Sequence, residues 1–240
     1  MIDPARSFER AAEAYEQARP DYPDALLDLL PIDASATVLD LGAGTGKLTR
    51  VLARRYARVI AVEPLDGMRA ILEAVVPGAE ALAGTAEAIP LADASVDAVF
   101  AAAAFHWFAN DDAVAEMARV LRPGGVLALA WNESDKPVPL PQEFTDYQDA
   151  LADPEEKRRW RRPWSEVVGR GPFGELREEV AKHQQVQSRE NVLLFARSLS
   201  LVARRPEEER ERIMRDLDAL LPEGPFVFPI SAHVQWTTRA

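Results

Sequence analysis

The sequence predicts an α/β fold: a doubly wound, mostly parallel sheet of seven strands, helices on both faces, an antiparallel last strand and a helical insertion after the fifth strand. Three observations carry this. Between residues 37 and 132, short apolar runs alternate with segments of helical period. Those runs are nearly continuous in apolar residues, as strands covered on both faces must be. A glycine-rich turn joins the first run to the first helical segment.

The elements follow in order. Residues 38–41 form a short strand that ends at the turn. Residues 47–56 place Leu48, Val51, Leu52 and Tyr56 at helical spacing. "RVIAV" is a second strand, and residues 65–75 a second helix with Met68, Ile71, Leu72 and Val75 on one face. "AEALAG" is a weak third strand and "SVDAVFAAAAF" a fourth. Asn110 or Asp111 caps a helix that runs through Leu121, and "RPGGVLALAW" reads as a turn plus a buried fifth strand. After Asn132 the pattern changes. "ESDKPVPLPQEF" is a loop, and "YQDALADPEEKRRWRRPWSEVVG" forms one or two helices. "FGELREEVAKHQQVQS" is a long strand of polar alternation. Two helical patterns follow, the second opening on Pro206 with Glu207 to Glu209 in its first turn, as the helix dipole favours. "FVFPISAHVQWTTRA" closes the chain as a strand, and the last two strands form an antiparallel edge pair with helices between them.

The organisation expected is one domain of four sections: a leader (1–34), a core (35–132), an insertion (133–172) and a closing section (173–240). A chain of 240 residues with 48% hydrophobic and 28% charged residues can bury a sizeable core. A net charge of −11 disfavours nucleic acid and anionic membranes and favours a small-molecule ligand. There is no cysteine, and the three histidines (His106, His183, His233) are far apart, so neither a thiolate nucleophile nor a metal site is expected. The polar, acid-containing N-terminus is unlike a signal peptide, and no apolar run approaches the ~20 residues of a membrane span. The expectation is a cytoplasmic monomer or homodimer.

The turn, Gly42, Gly44 and Gly46, has three readings. A phosphate-binding loop of the G-x-x-x-x-G-K-S/T type fails at both ends, because the first glycine position holds Leu41 and Lys47 is followed by Leu48. A dinucleotide loop wants G-x-G-x-x-G, and here the third glycine comes one residue early. Asp40, just inside the strand end, also opposes pyrophosphate. A cationic, amino-acid-bearing nucleoside suits the turn better. Bare glycines admit the ligand to the main chain, Asp40 attracts a sulfonium or ammonium charge, and Glu63, at the end of the second strand, takes both ribose hydroxyls.

"VLDLGAGTGKLT" resembles the first motif of the class I S-adenosylmethionine-dependent methyltransferases, whose sheet is Rossmann-like. "VIAVEPLDGM", "GTAEAIPLADASVDAVFAAAAFHWF" and "LRPGGVLALAWNE" are similar to the motifs that follow, in the family's order. "FERAAEAYEQARPDYP" and "SLSLVARRPEEERERIMRDLDALL" look like the small-molecule branch that includes trans-aconitate methyltransferase-like proteins.

The resemblance implies S-adenosyl-L-methionine (SAM) as cofactor and S-adenosyl-L-homocysteine (SAH) as product. It places Asp40 at the methionine end, Gly42, Gly44 and Gly46 as the floor, Glu63 at the ribose and Met68 against the adenine. Thr85 and Ala86 pass the adenine edge, where many relatives carry an aspartate in place of Thr85. Ala102 offers main-chain carbonyls to the methionine ammonium. Tyr15, Arg19 and Tyr22 belong to a lid, with Arg19 aimed at the cofactor carboxylate. Phe105, Trp107 and Trp131 frame the acceptor, and His106 is the candidate general base. "KRRWRRPW" reads as an amphipathic lid helix or as a pocket for an anionic substrate. The expected activity is methyl transfer to an oxygen or nitrogen, a carboxylate included, of a small molecule. The alternatives are a non-catalytic SAM/SAH-binding module and an NAD(P)-dependent oxidoreductase.

Overall fold

A computed structural model describes residues 16–152, 164–203 and 205–240 of the 240. Its seven strands are β1 (Thr37–Leu41), β2 (Arg58–Val62), β3 (Glu80–Leu82), β4 (Val96–Ala102), β5 (Leu121–Ser134), β6 (Arg177–Gln187) and β7 (Phe226–Thr238). The described helices are α1 (Thr49–Arg55), α2 (Asp66–Val75), α3 (Asp111–Val120), α4 (Gln142–Leu151), α5 (Trp164–Val168), α6 (Arg189–Ser198), α7 (Ser200–Ala203) and α8 (Glu207–Leu220). Short 3-10 turns lie at Asp24–Leu29 and Phe105–Trp107.

The sheet order is β3-β2-β1-β4-β5-β7-β6. β1 pairs in parallel with β2 and β4, β2 with β3, and β4 with β5. The last strand runs against its neighbours. Arg239 exchanges backbone hydrogen bonds with Gly124 and Gly125, while Asp135 donates to Pro229, so one index rises as the other falls. Phe173 and Arg239 bridge in the same antiparallel sense. β7 therefore lies between β5 and β6, and β6, not the last strand, takes the edge.

Two local deviations from the sequence reading have backbone causes. β4 stops at Ala102 because Ala103 turns to φ +48°, so the apolar run to Phe105 is not all strand. The start of β5 bulges: Leu121 pairs with Val96, but the next match is Val126 with Ala98, and Gly124 at φ +77° takes up the slack. Elsewhere the chain follows its pattern. Asn110 caps α3 by accepting from Ala113 N, and Ser188 caps α6 by accepting from Asn191 N.

The described residues divide into two compact units. The first holds residues 21–133, 164–181 and 231–240. In it, successive strand residues enter opposite cores, as the pleat requires. Val38, Ala98, Phe100 and Val126 pack with Leu26 and Leu27 of the first 3-10 turn and with Leu52 of α1. Leu39, Val99, Leu127 and Leu129 pack with Val114 and Met117 of α3 and Val167 of α5. The second unit holds residues 16–20, 134–152, 182–203 and 205–230. Its core joins Phe144 of α4, Val192 and Ala196 of α6, Ile213 and Leu217 of α8, and Phe226. Among the described residues, no helix is long and apolar enough to cross a membrane. Most of "KRRWRRPW" lies outside the described residues; Trp164 alone is within them.

Candidate active site

The turn after β1 is left-handed three times, at Gly42 (φ +70°), Gly44 (φ +58°) and Gly46 (φ +91°). Gly42 is needed for space as well as for backbone angle: a Cβ there would lie 2.9 Å from Ala104 Cβ and 3.2 Å from Phe108 Cε1. Gly44 is different. A Cβ there would meet nothing within 4 Å among the described residues, so its bare face opens outward. Gly42 N and Ala43 N donate to Val62 O at 2.9 and 3.2 Å, which ties the turn to the end of β2.

Glu63 follows Val62 and is buried. Its Oε2 accepts from Gly44 N at 2.8 Å and its Oε1 from Leu65 N at 2.9 Å. The side chain thus braces the turn, and each oxygen keeps acceptor capacity for a hydroxyl. Burial pushes its carboxyl above the usual range, opposed by the two backbone donors and by the Arg69 charge. Arg69 also donates to Glu63 O at 2.9 Å.

Asp40 is 1% exposed. Thr49 Oγ1 donates to its Oδ2 at 2.6 Å, and among the described residues Oδ1 has no hydrogen-bond partner. Its carboxyl is raised to about 7, by burial first and then by the Glu63 charge, against the lowering effect of the Thr49 bond. An acid held in this state is poised for a cation.

The remaining predicted residues fall in several places. Met68 is buried in α2. Thr85 is exposed and bridges to Ala88, while Ala86 is buried. Their loop is fixed from α3: Arg119 donates to Ile89 O at 2.9 Å and Leu91 O at 2.7 Å, and Glu116 accepts from Ile89 N at 2.9 Å. Ala102 ends β4, and Ala103 N donates to Ala130 O at 2.7 Å. His106 is buried in the 3-10 turn, its ring tilted 5.0 Å from that of Trp107. Phe105 is fully buried, edge-on to Phe108 at 5.9 Å and to Trp164 at 5.7 Å, so direct contact with an acceptor would require that cover to move. Trp131 meets Trp164 edge-on at 4.9 Å and stacks on His233 at 5.1 Å.

Tyr22 is buried in the core with Leu26 and Leu27. Arg19 belongs to the second unit, where its guanidinium lies over the Phe195 ring at 4.9 Å. Tyr15 lies outside the described residues. The sequence reading missed two features. Thr49 holds Asp40, nine positions away; it ends the motif "VLDLGAGTGKLT", where the sequence reading gives it no role. His233 contacts Glu178 at 3.2 Å, a pairing set by strand register between β7 and β6.

The site tests well against the nucleoside cation. Two buried carboxylates flank a bare main-chain turn, which repels pyrophosphate and suits a positively charged ligand bearing vicinal hydroxyls. Fold and turn together define a class: an open α/β domain with a glycine turn and two buried acids at the carboxyl ends of its first two strands, the edge at which such sheets take their ligands.

The comparisons give the family. The description "Methyltransferase domain" matches residues 39–129. An uncharacterized methyltransferase-like protein of Schizosaccharomyces pombe is 36% identical over 228 residues, covering 92% of this chain and 88% of that one. A malonyl-[acyl-carrier protein] O-methyltransferase of Methylococcus capsulatus is 45% identical over 101 residues, covering 40% of this chain and 37% of that one. A solved structure described as a type II methyltransferase from Anaeromyxobacter dehalogenans superposes with a TM-score of 0.64 at 27% identity, covering 92% of this chain and 97% of that one. The chain belongs to the class I SAM-dependent methyltransferases; it is an enzyme, and its cofactor is SAM.

Proposed function

We propose that this methyltransferase transfers a methyl group in line to an oxygen or nitrogen of a small-molecule acceptor. The observation that carries this is the Gly44–Glu63 pair: a main-chain turn with an open face, braced at 2.8 Å by a buried carboxylate. SAM, when bound, supplies a methyl already activated on a sulfonium. Gly42, Gly44 and Gly46 bring the main chain to the ligand, Glu63 orients the ribose, and Asp40 contributes negative charge at the methionine end. Thr85 and Ala86 flank the adenine, with Met68 packing beside it.

The protein's remaining task is alignment of the acceptor and exclusion of water, which can supply about 7–11 kcal/mol in favourable systems. The Methylococcus relative, by its name an O-methyltransferase, supports oxygen as the acceptor atom. A carboxylate oxygen is ionised near neutral pH and needs no base. A hydroxyl needs one, and His106, on the turn that follows β4, takes that role.

The test is a metabolite screen with methyl-labelled SAM, together with titrations of SAM, SAH and NAD. Tight SAM and SAH binding with label transfer supports the reading, and preferential NAD binding sinks it. With an acceptor in hand, His106→Ala sorts the chemistry. Loss of turnover with intact SAM binding assigns a base, and unchanged turnover assigns an acceptor already ionised.

A further inference from the structure

The second unit holds a partly open cavity of about 150 Å³ among α4, α6 and residues of β6 and β7. Phe144 and Phe195 supply apolar wall, and Gln148, Gln185, Gln187 and Asn191 line it with amides. Among the described residues, no charged side chain lines it. Arg19, over the Phe195 ring, is not part of the lining. Gln187 is 7% exposed and spends its Nε2 on Ala18 O at 3.5 Å. Gln185 Oε1 is buried, and among the described residues it has no hydrogen-bond partner.

These facts constrain an occupant. A space of this size takes a single ring, as an apolar cavity of about 150 Å³ takes benzene. A carboxylate or phosphate would lose part of its water and meet no cation among the described residues of the wall. An O–H or N–H would satisfy Gln185 Oε1. We propose that this cavity is a binding site for an uncharged, ring-sized molecule that donates one hydrogen bond to Gln185. The site is argued from its own lining and does not rest on the cofactor reading.

Three single-ring probes test it on the full chain by ligand-observed NMR titration: benzyl alcohol (neutral, with a donor), toluene (neutral, without one) and benzoate (charged). Parallel SAH titration reports the integrity of the cofactor site. Benzyl alcohol should bind about tenfold tighter than toluene, the worth of one hydrogen bond to a buried acceptor, and at least about tenfold tighter than benzoate. Gln185→Leu should erase the preference for benzyl alcohol over toluene. Val192→Trp, which fills the cavity, should abolish binding of both and leave SAH affinity unchanged. Failure of benzyl alcohol to bind, benzoate binding as tightly as the alcohol, or a preference untouched by Gln185→Leu overturns the proposal. Should Val192→Trp fail to fold, the half-buried Gln185 variant decides alone. SAH binding lost in the unaltered chain would instead count against the cofactor reading.

Discussion

Thr49 Oγ1 and Asp40 Oδ2 are joined by a 2.6 Å hydrogen bond beneath the glycine turn, and the bond leaves the other Asp40 oxygen buried and without a hydrogen-bond partner among the described residues. The first turn of α1 thereby fixes a carboxyl that the strand alone would bury at a penalty. Asp40 Oδ2 accepts from Thr49 Oγ1 only while Asp40 is oriented as it is, so turn, helix and acid form one unit.

That arrangement makes stability depend on pH. Burial raises the Asp40 carboxyl from 3.8 to about 7. A raised folded value contributes stability present below pH 4 and lost as pH rises through about 7. The full loss is at most about 4 kcal/mol, from roughly three units at 1.36 kcal/mol each. Denaturant titrations of the unaltered chain and of Asp40→Asn between pH 4.5 and 8 should show a decline in the first that is shallower in the second. Parallel curves would remove Asp40 as the titrating group.

Cofactor binding should carry the opposite dependence. A sulfonium beside Asp40 favours the ionised carboxylate, so uptake of SAM below pH 7 releases a proton. Affinity for SAM should therefore rise from pH 6 to pH 8. Calorimetry in buffers of different ionisation enthalpy measures the proton count, and Asp40→Asn should reduce it.

Gly42 and Gly44 should separate structure from binding. Gly42→Ala adds a left-handed penalty of about 1–2 kcal/mol to a 2.9 Å clash with Ala104 Cβ, so thermal unfolding should move down by several degrees. Gly44→Ala meets no neighbour and carries the backbone penalty alone. Its larger effect should be on SAM affinity, because the new methyl occupies the face offered to the ligand. Equal losses of melting temperature, with SAM affinity intact in Gly44→Ala, would contradict the assignment of that face.

Glu63→Gln keeps the size of the side chain but removes its charge and one of its two acceptor oxygens. The amide oxygen accepts from Gly44 N or Leu65 N but not both, and its NH2 is left facing the other N–H, at a cost of about 1–3 kcal/mol. SAM and SAH affinities should fall together by about tenfold or more. A selective loss of SAM alone would place Glu63 at the sulfonium rather than at the ribose.

Arg119 holds the loop that carries Thr85 and Ala86. Arg119→Met deprives Ile89 O and Leu91 O of donors and frees Glu116. The melting temperature should drop by a few degrees, and the affinity for SAH should weaken more than that for a fragment without the adenine. Unchanged affinity would detach this loop from the cofactor site.

The amino-acid pattern by itself set the parallel core, the glycine turn and the acid after β2, because each rests on local chemistry: apolar continuity, freedom of φ, and one position at a strand end. It also marked the cap Asn110, whose side chain bonds three residues on. What only the tertiary structure decided involves residues far apart in the chain. Strand insertion put β7 inside the sheet and brought His233 to Glu178, 55 positions away. Packing turned Phe105 and Tyr22 inward, although their sequence neighbourhoods suggested ligand contact. The state of Asp40 was likewise invisible in the string, since burial, a helix hydroxyl and a second carboxylate set it together, and no local rule sums those three.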